Sequence, residues 1–273
     1  MCLAVIALDA HPRYALVIAA NRDEFHARAA ERAHWWKDET GHALLAGRDV
    51  PQGGTWLGVN RRGRWAFVTN VREPGRHDPQ APSRGALVPR VLCDAGDAAA
   101  AVEQIAATAH GYNGFNLVAG ERATATFASN RATASRALPV GISGLSNAGL
   151  DTPWPKLVRA KAGVAAWVAS GSDDLDALLG VLNDRDVAPD GMLPDTGLAR
   201  ERERLLSSPF IVSHDYGTRC STVLALLRDG AVHLVERSFN PSGEVTGDVE
   251  FRFRSEAMAG SRLTTARCAL GAA

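Results

Sequence analysis

The second residue of the chain, Cys2, carries a thiol that is a strong nucleophile near neutral pH. Initiator methionine is generally removed before a small second residue, so we expect the mature chain to begin at Cys2. An α-amine, which titrates at about 7.7–8.0, then lies beside the thiol and can act as its base. Taken alone, a Met1-Cys2 start is better explained by a small apolar residue at the beginning of a strand.

A charged cluster, Asn21-Arg22-Asp23-Glu24, follows the apolar run from Tyr14 to Ala20. This run is predicted to pair antiparallel with a strand over Leu3 to Leu8, and the hairpin would return the cluster to the thiol. A guanidinium at Arg22 would favour the thiolate, and a carboxylate such as Asp23 could hold the ammonium or orient the amine. A solvated charge cluster at a strand end explains the same residues equally well.

Three further polar side chains stand near strand ends and are candidates for the same site. Asn70 and Asn147 could donate hydrogen bonds to a developing oxyanion, and Arg219 could hold a carboxylate or stabilise a thiolate. Considered singly, each of these residues is more often a turn former or a surface residue.

The charge balance bears on the kind of partner. The chain has 30 basic and 30 acidic residues and a formal net charge of zero. Nucleic acids and anionic membranes need concentrated positive charge, so we expect a small-molecule ligand and no nucleic-acid partner.

The distribution of cysteines and apolar stretches bears on metals and on location. The four cysteines form no CxxC pair, and the histidines at 26, 34, 77, 110, 214 and 233 show no HExxH-type spacing. We therefore expect no metal and no cofactor. The apolar runs fall short of the ~20 residues that a membrane-spanning helix needs, and Met1 to Leu8 lacks signal-peptide features. These features predict a cytoplasmic protein without an integral membrane segment.

The order of predicted elements indicates the fold class. Strands are predicted early and late in the chain, with helices in two middle blocks. Strand runs followed by helices and then strands are typical of a layered α+β protein. We expect a single domain over residues 1–255 and a frayed tail or loosely attached helix over residues 256–273. The other predicted strands are Thr55–Val59, Trp65–Thr69, Phe115–Ala119, Ala123–Phe127, Thr222–Leu227, Val232–Ser238 and Val249–Phe253, with a turn at Gly120-Glu121 between the third and fourth of these. The predicted helices are Ser83–Cys93, Ala98–Ala109, Pro153–Ala169 and Asp173–Leu182. Ser83 is expected to cap the first helix, and Pro89 to kink or shorten it.

Seven segments, in this order, resemble the NRDE family, also called the transport and Golgi organisation family. The resemblance covers the chain from Met1 to about Phe253, and the number of ordered matches makes it specific. The segments are MC at Met1-Cys2, ANRDEF from Ala20, GGTWLG from Gly53, YNGFNL from Tyr112, GLSN from Gly144, TPWPK from Thr152 and YGTR from Tyr216.

The family in turn is similar to the N-terminal nucleophile (Ntn) cysteine hydrolases of the penicillin acylase and bile salt hydrolase group. The resemblance implies a four-layer αββα sandwich of the Ntn-hydrolase type. It also implies site roles: Cys2 matches the nucleophile, and Arg22 and Asp23 match the arginine and aspartate beside it. Asn147 and Arg219 match later polar site residues, and Asn70 an oxyanion donor.

Two functions follow from the residues and the resemblance. The first is an amidohydrolase in which Cys2 attacks the carbon–nitrogen amide bond of an unknown small molecule. The second is a non-catalytic binding or trafficking protein that uses the same cleft for haem or for a lipid or acyl-CoA, since a fold does not fix a function. In the second case haem would be a transported ligand.

Overall fold

The structure is a computed structural model, and it describes residues 3–256. Cys2 and, apart from Glu256, the tail predicted over residues 256–273 lie outside the described residues. Two antiparallel sheets form the centre of the molecule. In spatial order the six strands of the first sheet are β10 (Gly141–Leu145), β1 (Leu3–Leu8), β2 (Tyr14–Phe25), β11 (Tyr216–Leu227), β12 (Ala231–Phe239) and β13 (Val245–Arg254).

The second sheet has seven strands, which lie side by side in chain order. They are β3 (Ala30–Lys37), β4 (Ala43–Asp49), β5 (Leu57–Asn60), β6 (Arg64–Asn70), β7 (Phe115–Glu121), β8 (Thr124–Ser129) and β9 (Arg136–Ala137). The helices are α1 (Leu87–Cys93), α2 (Ala98–Thr108), α3 (Pro155–Ser170), α4 (Leu175–Leu182) and α5 (Arg200–Leu205), with short 3-10 turns at Arg84–Ala86 and Asp190–Met192.

The alternation of side chains along β2 shows how the layers form. Ile18 and its neighbours on one face pack against Trp65 and Phe67 of the second sheet, in the apolar core between the sheets. Val17 and Ala19 on the other face pack against α3 and α4, and the far face of the second sheet is covered by α1 and α2. Successive residues of a strand point to opposite faces, so a fully apolar strand is buried on both. The predicted α+β class and four-layer αββα order are confirmed.

The strand that carries the charged cluster is longer than the sequence predicts. The cluster lies inside β2, which continues to Phe25, and does not follow the strand. The continuation pairs with an equally extended β11, in which Tyr216 lies opposite Phe25 and Thr218 opposite Asp23. Polar residues weaken the pattern from which strands are predicted, but the ladder of backbone hydrogen bonds does not depend on side-chain polarity.

Other boundaries were also wrong, each for a local reason. The turn of the β7–β8 hairpin falls after Glu121, at Arg122, whose φ of 52° is left-handed. Ser83 precedes a 3-10 turn and makes no side-chain cap hydrogen bond, and Pro89 lies in the first turn of α1, where proline is tolerated. Strand β3 was missed because its residues are mixed and mostly exposed or partly buried, and β10 because it is short and contains two glycines.

Two further expectations concern the domain organisation and membrane-spanning helices. The first and the last described strands, β1 and β13, belong to the same sheet, and one domain is expected over residues 1–255. That domain boundary stays a prediction. Among the described helices, none is long and apolar enough to cross a bilayer.

Candidate functional site

A polar cavity of about 460 Å³ lies where the ends of β2, β4 and β6 come together. Buried charged groups and aromatic rings share its wall. Residues that the sequence did not place together in one site, such as Asp49 and Trp56, line it beside Arg22 and Asp23. Concave sites with a few convergent polar groups are where small molecules bind, so this cavity is the candidate functional site.

Arg22 enters the cavity from the face of β2 that looks towards the second sheet. It is buried, with 4% of its surface exposed, and its guanidinium lies 4.4 Å from the centroid of the Trp56 ring. Its Nη2 is 3.3 Å from Oδ2 of Asp49. Within residues 3–256 its buried Nη1 has no hydrogen-bond partner. A buried donor without a partner is costly, so Nη1 marks a place where a negative group would be stabilised.

The carboxylate of Asp49 is engaged mainly by another residue, Arg28. Nε of Arg28 donates to Oδ2 of Asp49 over 2.6 Å, and Nη2 donates to Oδ1 over 2.9 Å. This bidentate geometry is the strong form of an ion pair. Arg22 is the more distant of the two arginines, so its positive charge is only partly compensated by Asp49.

Asp23 leaves β2 on the opposite face from Arg22 and is also buried, with 3% exposed. The hydroxyl of Thr218 donates to its Oδ1 over 2.7 Å. Burial raises the pKa of Asp23, and the charge of Lys156 and the Thr218 hydrogen bond act against that rise. Lys156, in the first turn of α3, is 1% exposed. A buried carboxylate is therefore held between a cation and a hydroxyl.

Asn21, the first residue of the charged cluster, fixes the backbone of the site. Its Nδ2 donates to the carbonyls of Leu182 and Pro209, each over 2.9 Å, and Ser221 donates to its Oδ1 over 2.6 Å. Leu3 lies directly opposite Asn21 in the β1–β2 ladder. The described chain therefore begins one register position from Arg22, which agrees with the predicted hairpin.

Asn70 and Asn147 are neighbours, but they differ in what they face. Asn70, at the end of β6, lines the cavity. Asn147 is buried and is not part of the cavity lining; its Nδ2 donates to the carbonyl of Asn70 over 3.0 Å. Its own carbonyl accepts from the backbone of Arg72 over 2.7 Å. Asn147 thus positions the backbone that carries Asn70.

Arg219 lies outside the lining of this cavity. Its Nη1 donates to the backbone carbonyls of Phe25, His26 and Arg28, over 3.1, 3.0 and 3.3 Å. Burial, together with the positive charge of Arg22, lowers the pKa of Arg219. The guanidinium of Arg219 therefore fixes the segment that follows β2, and it influences the site only by positioning that segment.

The two described cysteines have thiols that resist ionisation. Burial, and after it a hydrogen bond to Asp38, raises the pKa of Cys93 to about 12. Burial and the charge of Glu236 raise the pKa of Cys220 well above its ordinary value. Since the thiolate is the reactive form, neither thiol is a good nucleophile near neutral pH.

Sequence reasoning did not assign roles to Lys156, Asp49 or Arg28. Lys156 had a signal, because it ends the TPWPK segment and follows Pro155 at a helix start, where a buried lysine is unusual. Asp49 and Arg28 had none: in the sequence both are ordinary charged residues, and only the approach of the end of β4 to β2 connects them to Arg22.

Fold and cavity together define an α+β sandwich protein with a polar site at one end of its two sheets. The family model described as Transport and Golgi organisation 2 matches residues 1–241. The chain belongs to this family, which confirms the resemblance seen in the sequence segments.

Individual relatives align over nearly the whole chain. The Transport and Golgi organization protein 2 homolog of Bos taurus is 36% identical over 281 residues, which is 93% of this chain and 100% of that protein. The Homo sapiens homolog is 36% identical over 259 residues, covering 87% and 93%. Among solved structures, a mutant conjugated bile acid hydrolase from Clostridium perfringens aligns with a TM-score of 0.48 and 10% identity, covering 93% of this chain and 98% of that one.

Proposed function

We propose that the chain is an N-terminal-cysteine amidohydrolase that cleaves the carbon–nitrogen amide bond of a small molecule in the polar cavity, with Cys2 as nucleophile. One observation carries the proposal. Leu3 lies opposite Asn21, and the next residue of β2, Arg22, presents a buried Nη1 without a partner in residues 3–256. Cys2 directly precedes Leu3 in the sequence.

The proposed reaction begins with the α-amine of Cys2 taking the proton of its own thiol. The thiolate attacks the amide carbonyl carbon, a carbon–sulfur bond forms, and an electron pair moves to the oxygen. As the carbonyl re-forms, the carbon–nitrogen bond breaks and the amine leaves with the proton from the α-ammonium. Water then adds to the thioester and gives a proton to the α-amine. The carbon–sulfur bond breaks, which releases the acid and regenerates the thiolate.

Each remaining site residue has a part in this scheme. The incompletely compensated charge of Arg22 stabilises the thiolate. Asp23 accepts a hydrogen bond from Thr218 and orients the α-amine, while Asn70 faces the cavity and donates to the oxyanion. Asn147 and Arg219 are positioning residues. Asn147 acts through its hydrogen bond to the carbonyl of Asn70, and Arg219 through its hydrogen bonds to the segment after β2.

The binding alternative uses the same cavity without its chemistry. Phe25, which is 54% exposed, lies at the cavity edge with its ring 5.3 Å from that of Tyr216. Exposed aromatic rings at a cavity edge favour an apolar or planar ligand. A protein that carries haem or an acyl chain would depend on this edge and not on sulfur.

The test compares wild type with Cys2→Ser and Cys2→Ala. A panel of N-acyl amides is screened for turnover, haem and long-chain acyl-CoA are titrated in parallel, and intact mass establishes whether Met1 is removed. We expect a substrate whose turnover falls at least ~100-fold in Cys2→Ala, as losing a principal catalytic group costs. Cys268→Ser, beyond the family match, is the thiol control and should keep turnover.

Three results would contradict the hydrolase, two of them from the mass and turnover measurements and the third from the haem titration. One is retained Met1 in an otherwise native preparation, because the α-amine of Cys2 would then be blocked. Another is an absence of turnover for every amide together with saturable ligand binding that survives both Cys2 substitutions, which would establish the binding alternative. A haem spectrum that changes only with Cys2 would indicate thiolate ligation to iron, and would also remove the hydrolase assignment.

A further inference from the structure

A second cavity, of about 850 Å³, lies on the helix-covered side of the second sheet. Its wall contains the turn between β3 and β4, the end of α1 and part of α2. Asp38 and His42 come from the turn, and Cys93 is the last residue of α1. Three side chains of different ligand chemistry therefore meet at a cavity that the proposed reaction does not use.

The three side chains offer one ligand atom each, and these atoms all lie within 4.8 Å of one another. The group consists of a carboxylate oxygen from Asp38, an imidazole nitrogen from His42 and the sulfur of Cys93. Oxygen, nitrogen and sulfur together are the donor set that Zn²⁺ accepts in proteins, whereas Mg²⁺ and Ca²⁺ take oxygen alone.

The turn holds its part of this group in place through its backbone. Oδ1 of Asp38 accepts from the backbone N–H groups of Thr40 and His42, over 3.1 and 2.7 Å. The backbone N–H of Asp38 donates to the carbonyl of His42 over 3.0 Å. The thiol of Cys93 hydrogen-bonds to Asp38. The carboxylate is thus fixed relative to both partners before any ion arrives, which reduces the ordering that binding requires.

Bond lengths decide whether an ion fits. Zinc bonds of about 2.0–2.3 Å at tetrahedral angles place ligand atoms about 3.3–3.8 Å apart. Nδ1 of His42 is 3.9 Å from Oδ1 of Asp38, and the side chain of His42 is 59% exposed. Nδ1 also hydrogen-bonds to Oγ1 of Thr40 over 2.6 Å, so an ion would replace this hydrogen bond, and the exposed ring can turn inward without disturbing the core.

We propose that Asp38, His42 and Cys93 form a binding site for one zinc ion, with the fourth coordination position open to the second cavity. Three protein ligands and one open position are the arrangement of zinc sites that bind water or a small ligand. Arg48 and Arg90 line the same cavity, so a small anion is the ligand class that fits the open position. The site is separate from Cys2 and does not rest on the proposed hydrolase.

Spacing along the chain led to the expectation of no metal. That expectation considered histidine pairs and CxxC motifs, whereas Cys93 is far from His42 in sequence and reaches it only because α1 packs beside the β3–β4 turn. The zinc proposal replaces that expectation with one that can be measured.

The test uses the full chain carrying Cys2→Ser, so that the terminal thiol cannot bind metal. Cobalt(II) is titrated first, because a thiolate ligand gives a near-ultraviolet charge-transfer band. Zinc affinity then follows from competition with a chromophoric chelator. We expect one equivalent of metal, a band that disappears with Cys93→Ser, and a zinc affinity at least ~10-fold lower in His42→Ala, the loss that even an outer-shell residue costs. His34→Ala, a half-exposed histidine of β3, is the matched control and should bind as the parent does.

At one zinc concentration, zinc should also raise the melting temperature of the parent and of His34→Ala more than that of His42→Ala, because a ligand that binds only the folded state stabilises it to a degree that increases with its affinity. His42 is exposed, so its substitution leaves the fold intact and this comparison stays valid even if Cys93→Ser unfolds. The proposal is overturned if no cobalt band forms, if the band survives Cys93→Ser, or if His42→Ala binds zinc as tightly as the parent.

Discussion

Arg22 and Arg64 are equally buried, each with 4% of its surface exposed, and yet their guanidinium groups meet very different surroundings. Arg64 donates from Nε to Glu121 over 2.5 Å, from Nη1 to the carbonyls of Val91 and Asp94, and from Nη2 to the carbonyl of Gly96. Arg22 has one contact of 3.3 Å to Asp49, an aromatic ring beneath it, and an Nη1 without a partner in the described chain.

This difference shows that burial does not by itself indicate what an arginine does. Every nitrogen of the Arg64 guanidinium has a partner, which is either Glu121 of β7 or a carbonyl at or just after the end of α1, so these hydrogen bonds stabilise the fold. Arg22 keeps a donor for something that residues 3–256 do not supply, which is typical of a group that acts on a ligand or a reacting atom. Three predictions test the contrast.

The largest effect is expected for Arg64→Met. The carbonyls of Val91, Asp94 and Gly96 lose their donors, and a buried carbonyl without a partner is costly. We expect the free energy of unfolding in urea to fall by about 2–4 kcal/mol. The rate at which iodoacetamide labels Cys2 should stay unchanged under conditions where the variant is folded. A stability loss within experimental error would show that water replaces the guanidinium, and the comparison would then fail on its structural side.

A smaller effect is expected for Arg22→Met, and it should lower the reactivity of the Cys2 thiol. Removing the positive charge next to the proposed thiolate raises the pKa of that thiol, and a rise of about one unit lowers labelling near neutral pH ~10-fold. Stability should change by less than about 1 kcal/mol, because methionine fills the space and Asp49 keeps both hydrogen bonds from Arg28.

The labelling rate of Cys2 is measured across pH by peptide mapping, with denaturant unfolding in parallel. Arg28→Met is the matched control: it removes the other arginine on Asp49, and should cost more stability and less reactivity than Arg22→Met. If Arg22→Met leaves the thiol pKa unchanged and lowers stability sharply, Arg22 belongs to the same structural class as Arg64.

The smallest effect is expected for Asp23→Asn, as a change in the slope of unfolding free energy against pH. Burial raises the pKa of Asp23 above its ordinary value of 3.8, so the folded protein binds a proton there more tightly than the unfolded chain. The contribution of Asp23 to stability is fully present below the ordinary pKa and is lost as pH rises through the raised pKa. The stability of Asp23→Asn relative to wild type should therefore increase with pH across that window.

Unfolding free energies from urea titrations at several pH values measure this slope. Glu236→Gln is the control, because burial also raises the pKa of Glu236 although its carboxylate contacts Ala33 and Thr222 outside the cavity. It should change the slope in the same direction without slowing Cys2 labelling, because the negative charge of Glu236 acts against the positive charge of Arg22, whereas Asp23→Asn should slow that labelling. A slope of opposite sign for Asp23→Asn would mean that Lys156 and Thr218 outweigh burial.

The sequence predicted those parts of the fold and site that depend on neighbouring residues. Uniform apolar runs indicated β1 and most of β2, and the helical spacing of apolar residues indicated α2. Prolines at a helix start indicated α3, and α4 was predicted to follow it; all three helices were placed within a few residues. The pairing of β1 with β2, which places Leu3 opposite Asn21, also followed from the short hairpin between them.

The tertiary structure decided how residues from distant segments share one site. Asp49 and Lys156 reach the charged cluster from β4 and α3, and no spacing along the chain connects them to it. Spacing along the chain also does not connect Cys93 to the β3–β4 turn beside which it lies. Nor does it show that the side chain of Asn147 donates to the backbone of Asn70 and does not line the cavity. Local sequence determines hydrogen bonding and burial along one strand or helix. The packing of the layers determines which side chains meet, and the chemistry of the site depends on those meetings.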